Sequence, residues 1–227
     1  VTPRAIFISR SADQIGGQLR QFEARGGALY AQSLITFEGI ENEADRLCDV
    51  VFFSSIRAAS FFFQFHEKPN SLFACAGGET ARKMAVEFQI DCAFIADDAG
   101  KPVQAALEFK DWLKDRTVLF PRSEQSLKTY SSLIPSGQKT ELVVYRTVPN
   151  PEVIPPCDYY VFSSPSNVHA FFEVNVIPEH ACCIAWGQST EAALTAHHIT
   201  VHHCLKEGSV QELDTYFQAH VFKTMDL

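Results

Sequence analysis

One phrase occurs twice in this chain. Asp49-Val50-Val51-Phe52-Phe53-Ser54-Ser55 and Asp158-Tyr159-Tyr160-Val161-Phe162-Ser163-Ser164 each run an apolar stretch into two hydroxyls. A short apolar run bounded by polar residues reads as a strand buried on both faces. A serine at its end is a preferred helix N-cap. After the second copy comes Pro165, whose missing N–H is no loss in a first helical turn, and then Val168, Phe171 and Phe172 as a helical apolar stripe. After the first comes a phenylalanine-rich helix over residues 58–65. Each copy leads on to a small-residue turn bearing hydroxyls, Ala76-Gly77-Gly78-Glu79-Thr80-Ala81 and Ala185-Trp186-Gly187-Gln188-Ser189-Thr190. Asp49 and Asp158, Ser55 and Ser164, Gly78 and Gly187, and Thr80 and Ser189 all stand 158 − 49 = 109 residues apart. Four matches in one register mean a duplicated α/β unit.

The remaining chain alternates in the same way. Residues 4–10 read as an opening strand, followed by a helix with Ile15, Leu19 and Phe22 on one face and Gly26-Gly27 at its end. Residues 29–37 read as a second strand, leading into the acidic run 38–45. Strands at 72–76 and 93–96 flank a helix at 80–88. Residues 102–114 form an amphipathic helix with Val103, Ala106, Leu107, Phe109, Trp112 and Leu113 as its apolar set. Residues 117–121 resemble the opening strand, with Arg122-Ser123 echoing Arg10-Ser11. A helix is expected over 124–133 and a strand over 140–148. Prolines at 149, 151, 155 and 156 stiffen a connector. Strands at 181–186 and 199–204 flank a helix at 190–197, and Ser209-Val210-Gln211-Glu212 is a capping box opening the last helix. Strands alternating with helices predict parallel sheets covered on both faces. Ligands of such sheets collect where strands end and helices begin, which is where the repeated hydroxyls and glycines fall.

A length of 227 residues suits two domains of this kind. Lys plus Arg is 19 and Asp plus Glu 27, so the formal charge is 19 − 27 = −8. That balance argues against nucleic acid or an anionic membrane as the main partner. No apolar run reaches the ~20 residues of a membrane-spanning helix. Val1-Thr2-Pro3-Arg4 leads straight into the first strand and resembles no secretory signal. Seven irregularly spaced cysteines, Cys48, Cys75, Cys92, Cys157, Cys182, Cys183 and Cys204, read as reduced thiols, and the expected compartment is the cytoplasm.

The candidate chemistry is sparse. Ser54, Ser55, Ser163 and Ser164 serve equally as plain N-caps or, with their junction N–H groups, as anion receivers. Thr80, Ser189 and Thr190 follow glycine turns, where a ligand can approach the backbone. Neither turn is a GxGxxG or a GxxxxGK[ST]. Arg10 and Arg122 end equivalent strands; each is either ion-paired or a fork for a ligand carboxylate. Tyr145 lies late in an apolar strand, as packing or as a neutral phenol able to donate a proton. His197, His198, His202 and His203 lack an HExxH or CxxC context, and Asp97-Asp98 reads as a solvated turn. No GxSxG elbow is present.

At these residues the chain resembles the uroporphyrinogen-III synthase family. The carriers are the opening strand with Arg10, the run Val143-Val144-Tyr145-Arg146-Thr147-Val148, the run Val161-Phe162-Ser163-Ser164-Pro165-Ser166-Asn167-Val168 with Phe171-Phe172, and Ile184-Ala185-Trp186-Gly187-Gln188-Ser189-Thr190-Glu191-Ala192-Ala193-Leu194. Their order is the family's and they span essentially the whole chain. Trp186 and Gln188 depart from the family's frequent isoleucine and proline, and Phe53 with Phe61-Phe62-Phe63 is unusually aromatic.

The resemblance implies two α/β domains, residues 1–37 plus 151–227 and an inserted 38–150, joined by a two-stranded connector with a ligand cleft between them. It implies cyclisation of hydroxymethylbilane to uroporphyrinogen III by a monomer that uses no cofactor and no metal. The linear tetrapyrrole would be handed over transiently from hydroxymethylbilane synthase. Tyr145 would assist hydroxyl departure. Thr80, Ser189 and Thr190, with the serine pairs, would line the cleft, and Arg10 or Arg122 would hold carboxylates. The rival reading is a non-catalytic two-domain binder of a small anion. A signalling receiver domain would need a paired-acid pocket and a later lysine in an order this chain does not supply.

Overall fold

The computed structural model describes residues 5–42, 48–97, 101–126 and 128–221. Arg4, the distal half of the acidic run at 43–45 and Asp98 lie outside them. The chain divides into two compact units, Val1–Thr36 with Val148–Leu227, and Phe37–Thr147. We call these unit 1 and unit 2.

Unit 1 is built on a five-stranded sheet. β1 (Ala5–Ile8) sits between β2 (Ala28–Ala31) and β9 (Tyr159–Phe162), and β10 (Cys182–Ala185) and β11 (His203–Cys204) continue beyond β9. All four pairings are parallel. One face carries α5 (Pro165–Phe172) and α6 (Gln188–Ala196), packed on Phe7, Tyr160 and Phe162. The other carries α1 (Gly17–Ala24) and α7 (Val210–His220), packed on Ile6, Ile8 and Val161. Successive strand residues therefore face opposite cores, which is why these strands read as unbroken apolar runs.

Unit 2 repeats the plan. β4 (Val50–Phe53) pairs with β5 (Leu72–Ala76), β5 with β6 (Phe94–Ala96), and β4 on its other side with β7 (Val118–Ser123), all parallel. β8 (Lys139–Pro149) lies beside β7, and β3 (Ile35–Gly39) forms the outer edge. α2 (Ile56–Phe65) and α3 (Gly78–Phe88) cover Val51 and Phe53. α4 (Pro102–Leu113) covers Val50 and Phe52. β3 and β8 each run across a boundary of the two units.

Several expected elements take a different form. The single strand expected over 29–37 is two strands in two sheets. Ser33 breaks it, its hydroxyl donating to the carbonyl of Ile35 at 3.1 Å, a local bond that competes with the ladder. Among the described residues of 124–133 the expected helix does not form; 3-10 turns at Ser131–Leu133 and Ser136–Gln138 stand there. Lys128 takes a left-handed φ of 56°, and the hydroxyl of Ser132 donates to the carbonyl of Thr129 at 3.0 Å, so local bonding replaces the helical ladder. In α4 the buried set is Ala105, Ala106, Phe109 and Leu113, while Val103 and Leu107 are 61% and 42% exposed. Small alanines, not the larger residues beside them, fit the approach to the sheet. The last strand, expected over 199–204, keeps only His203–Cys204. The capping box at Ser209 is half formed: its hydroxyl accepts from the N–H of Glu212 at 3.1 Å, whereas the Glu212 carboxylate reaches back to the N–H groups of Lys206 and Glu207. No helix among the described residues is long and apolar enough to cross a membrane.

Candidate active site

In each sheet the strand order reverses direction once, between β1 and β9 in unit 1 and between β7 and β4 in unit 2. The carboxyl ends beside such a reversal form a crevice where open α/β sheets bind ligands. The two crevices are equivalent residue by residue. The ladders end with Ile8 opposite Val161 and Val51 opposite Leu119, and counting on in register matches Arg10 with Ser163 and Arg122 with Ser54. The echo of Arg10 in Arg122 is therefore a true positional equivalence.

The serine pairs divide their work. Ser55 and Ser164 are N-caps of α2 and α5, accepting from the N–H groups of Ala58 at 3.3 Å and Asn167 at 3.4 Å. Ser163 is committed to Ser9. Its N–H donates to the Ser9 hydroxyl at 2.8 Å, and its own hydroxyl donates to the Ser9 carbonyl at 2.7 Å. Ser9 is 1% exposed and Ser163 half-buried, so the Ser9 side of this lock is shielded from water. Of the four serines only Ser54 is exposed and makes no hydrogen bond to a described residue.

The glycine turns behave differently from the serine junctions. α3 begins after Gly77 and α6 after Gly187, and no described side chain caps either helix. Gly77 has a φ of 75°, a conformation other residues reach only under strain. The first N–H groups of these helices point at the carboxyl ends of β5 and β10 without intrahelical partners. Thr80 is half-buried in the first turn of α3, and Ser189 is exposed in the first turn of α6. Ser189, Gly187 and Lys206 line a cavity of 630 Å³ at the carboxyl ends of β10 and β11. Thr190 is 2% exposed and faces the core. It cannot line an open site. The 109-residue offset places Ala81 at its equivalent, a residue packed against the core of unit 2.

The arginines part company. Arg122 donates from Nε to Glu141 at 3.0 Å and from a terminal nitrogen to the carbonyls of Ser123 and Glu124. The Glu141 carboxylate also receives the Lys128 ammonium at 3.0 Å and the Ser131 hydroxyl at 2.7 Å. Burial works against its charge, but the Ser131 bond, Lys128 and Arg122 outweigh it and hold the carboxyl at about 2. Arg122 is thus ion-paired. Arg10 has no such partner among the described residues; its guanidinium lies 4.5 Å from the centre of the Trp186 ring. Burial lowers its pKa, partly opposed by the charge of Asp13. Trp186, the departure at the turn, is therefore a platform for Arg10. Its carbonyl lies where a Cβ on Gly208 would stand 2.9 Å away, and Gly208 has a φ of 60°. Nothing local in the sequence signals this stack, because the partners are far apart in the chain.

Tyr145 is 8% exposed in β8. Its ring stacks on Phe61 at 5.1 Å and meets Phe37 edge-on at 6.0 Å. A bulge shifts the register of β8 against Arg122 and Ser123 by one residue, which turns Tyr145 to the face already occupied by Leu142 and Val144. Its hydroxyl makes no hydrogen bond to a described residue. Among the described residues no group of three or more metal-ligating side chains converges. His202 accepts from the N–H of Cys183 at 3.1 Å, and His197 pairs with His169 at 3.1 Å. The seven cysteines are free thiols.

The family model for uroporphyrinogen-III synthase HemD matches residues 18–215. Among solved structures, the chain is similar to uroporphyrinogen-III synthetase from Helicobacter pylori, with 17% identity and a TM-score of 0.70 over 96% of this chain and 100% of that one. It is also similar to a mutant uroporphyrinogen III synthase from the extremely thermophilic bacterium Thermus thermophilus, with 13% identity and a TM-score of 0.55 over 95% and 98%. At these identities the likeness is one of fold.

Proposed function

This chain belongs to the uroporphyrinogen-III synthase family, and we propose that it cyclises hydroxymethylbilane to uroporphyrinogen III. In that reaction the terminal hydroxyl leaves as water, and the pyrrole left behind becomes an electrophilic azafulvene. The far pyrrole attacks through its substituted α-carbon to form a spirocyclic pyrrolenine. The older bond to that carbon breaks, the fragment recloses with the ring inverted, and a proton is lost. Unaided closure gives the uninverted isomer, so the protein's task is to hold one pose and lend acid assistance.

The observation that carries this reading is the pair α3 and α6. In equivalent places, both helices open on glycine, lack a side-chain cap among the described residues and bear a hydroxyl, Thr80 or Ser189, in the first turn. Open N–H groups at a helix start attract carboxylates without any cation. An octacarboxylate substrate is therefore compatible with a chain of net charge −8. Arg10, seated on Trp186, adds a cation at the carboxyl end of β1. Tyr145 supports the acid role because its phenol has no described partner.

The test is incubation with freshly prepared hydroxymethylbilane and separation of the type I and type III isomers. A type III fraction well above the spontaneous value is expected; an unchanged ratio leaves the binder reading. Hand-over from hydroxymethylbilane synthase belongs to the same proposal. In a coupled assay at limiting enzyme, the type III yield should exceed that from free hydroxymethylbilane, and equal yields would remove it.

A further inference from the structure

The crevice of unit 1 is tied across by Ser9 and Ser163, and its counterpart in unit 2 lacks that tie. In unit 1 the hydroxyl of Ser9 ties down Ser163, and α1 and α7 cover the face below. The counterpart of Ser9 in unit 2, one residue before Arg122, is Pro121, which has no side-chain hydrogen-bonding group. Ser54 is left untied. The counterpart of α1 is the stretch after β7, where the described residues form only the 3-10 turns Ser131–Leu133 and Ser136–Gln138. A cavity of 210 Å³ results, floored by Phe52, Phe120 and Tyr130 and rimmed by Ser54, Ser126 and Lys128. Both causes lie in the sequence of this unit, so the cavity is built into its fold.

Its chemistry is specific. The volume lies below the ~300 Å³ at which pockets for whole small molecules begin, so it admits one ring and its substituents. The floor is aromatic, with the Phe52 ring 5.5 Å from Phe120 and 4.5 Å from Tyr130, a surface suited to stacked or edge-on ring contact. At the rim Arg122 and Lys128 share the single carboxylate of Glu141, which leaves one positive charge in excess. The Lys128 side chain is 49% exposed and one described partner, Glu141, occupies it. The hydroxyls of Ser54, Ser126 and Thr129 make no hydrogen bond to described residues.

We infer that this cavity is a subsite for a single aromatic ring carrying a carboxylate arm. Under the function proposed above, and resting on it, the ring is one pyrrole of the tetrapyrrole, with an acid arm on Lys128. The difference between the units then has a purpose: where unit 1 ties its serine down, unit 2 seats a ring.

The probe is a monopyrrole bearing one acetate and one propionate arm, titrated calorimetrically into the full chain, with the pyrrole lacking acid arms as control. The acid-bearing pyrrole should bind, and Lys128→Met should weaken it about tenfold, the loss of one charge-assisted hydrogen bond. The same change should leave the control pyrrole unaffected. Ser126→Trp, which fills the mouth, should abolish binding of both, while Lys110→Met, exposed in the last turn of α4, should not matter. Nuclear Overhauser contacts from the bound ring to Phe52 and Phe120 in the unaltered chain decide the matter if Ser126→Trp fails to fold. No binding, undiminished binding in folded Ser126→Trp, or ring contacts elsewhere overturns the subsite. The isomer assay separates the two failures. Type III formation without ring binding at Phe52 refutes the subsite alone; ring binding there without type III formation refutes the tetrapyrrole reading and leaves a monocyclic-carboxylate site.

Discussion

Among the described carboxylates of unit 2 Glu141 is the most heavily used, and Glu141→Gln tests what it contributes. Its oxygens receive Arg122, Lys128 and Ser131, and its side chain is 19% exposed. A carboxyl held at about 2 instead of its ordinary 4.5 corresponds to roughly 3 kcal/mol at neutral pH if none of it is screened. Partial exposure brings the expected effect to about 2 kcal/mol. Glutamine keeps an acceptor for Ser131 but leaves the Arg122 guanidinium, 14% exposed, without its counter-charge. The pH dependence follows from the sign. The folded value lies below the unfolded one, so the stabilisation is complete above about pH 4.5 and is lost as pH falls towards 2. At pH 3 about two fifths of it remains. The assay is urea unfolding of both proteins at pH 7, 5 and 3, followed by a probe in unit 2 such as Trp112 fluorescence. The variant should be weaker by about 2 kcal/mol at pH 7 and by under 1 kcal/mol at pH 3. A gap that is absent at pH 7, or that stays constant down to pH 3, would show that the ion pairs are incidental to the fold.

Four other outcomes are expected. Tyr145→Phe should lower kcat severalfold or more in the isomer assay while leaving the thermal midpoint in place; unchanged turnover would falsify the acid role. Thr80→Ala and Ser189→Ala should each reduce kcat/KM by under tenfold, because backbone N–H groups would keep most of the grip; a loss of a thousandfold in steady-state kinetics would assign the work to the hydroxyls instead. Gly77→Ala should cost about 1–3 kcal/mol in denaturant unfolding through its φ of 75°, whereas Gly78→Ala, with nothing within 4 Å of the added Cβ, should cost nothing. Equal effects at the two positions would contradict the strained start of α3. His197 has its pKa lowered by burial, then by His169 and His198. A histidine that resists protonation when folded weakens the fold as pH drops below about 6.5, so His197→Phe should flatten stability between pH 7 and 5, and an unaltered slope in pH-resolved unfolding would count against the pairing with His169.

What the sequence discloses here is whatever is local. The buried strands β4 and β9 and the caps at Ser55 and Ser164 are read from a few neighbouring residues, because an apolar run and a hydroxyl before a helix carry their own physics. The segment 124–138 misleads for a related reason: its composition permits a helix, and only the left-handed Lys128 and the bonds of Ser131 and Ser132 select otherwise. The face of Tyr145 is hidden too, since strict alternation would set it opposite Val144 and only the bulge brings them together. Arg10 on Trp186 and Arg122 on Glu141 join residues 176 and 19 positions apart (186 − 10 and 141 − 122), so both readings of each arginine stay open until the fold decides. Thr190 is the instructive case: its hydroxyl suggests a cleft residue, whereas the 109-residue offset pairs it with Ala81 and the fold buries it.

The weakness of the shared sequence and the persistence of the shared fold have one explanation under the proposed function. A substrate that closes by itself needs a pose, and a pose can be held by N–H groups that every residue but proline supplies. Such a grip asks only that α3 and α6 begin where they do, at the ends of β5 and β10. The side chains around those starts are then free to drift, which accords with 17% identity at a TM-score of 0.70. Ser54 is a strand-end hydroxyl that caps nothing and faces a cavity, whereas its twin Ser163 is tied to Ser9, and that contrast makes unit 2 the place to look for what distinguishes one ring of the substrate from the others.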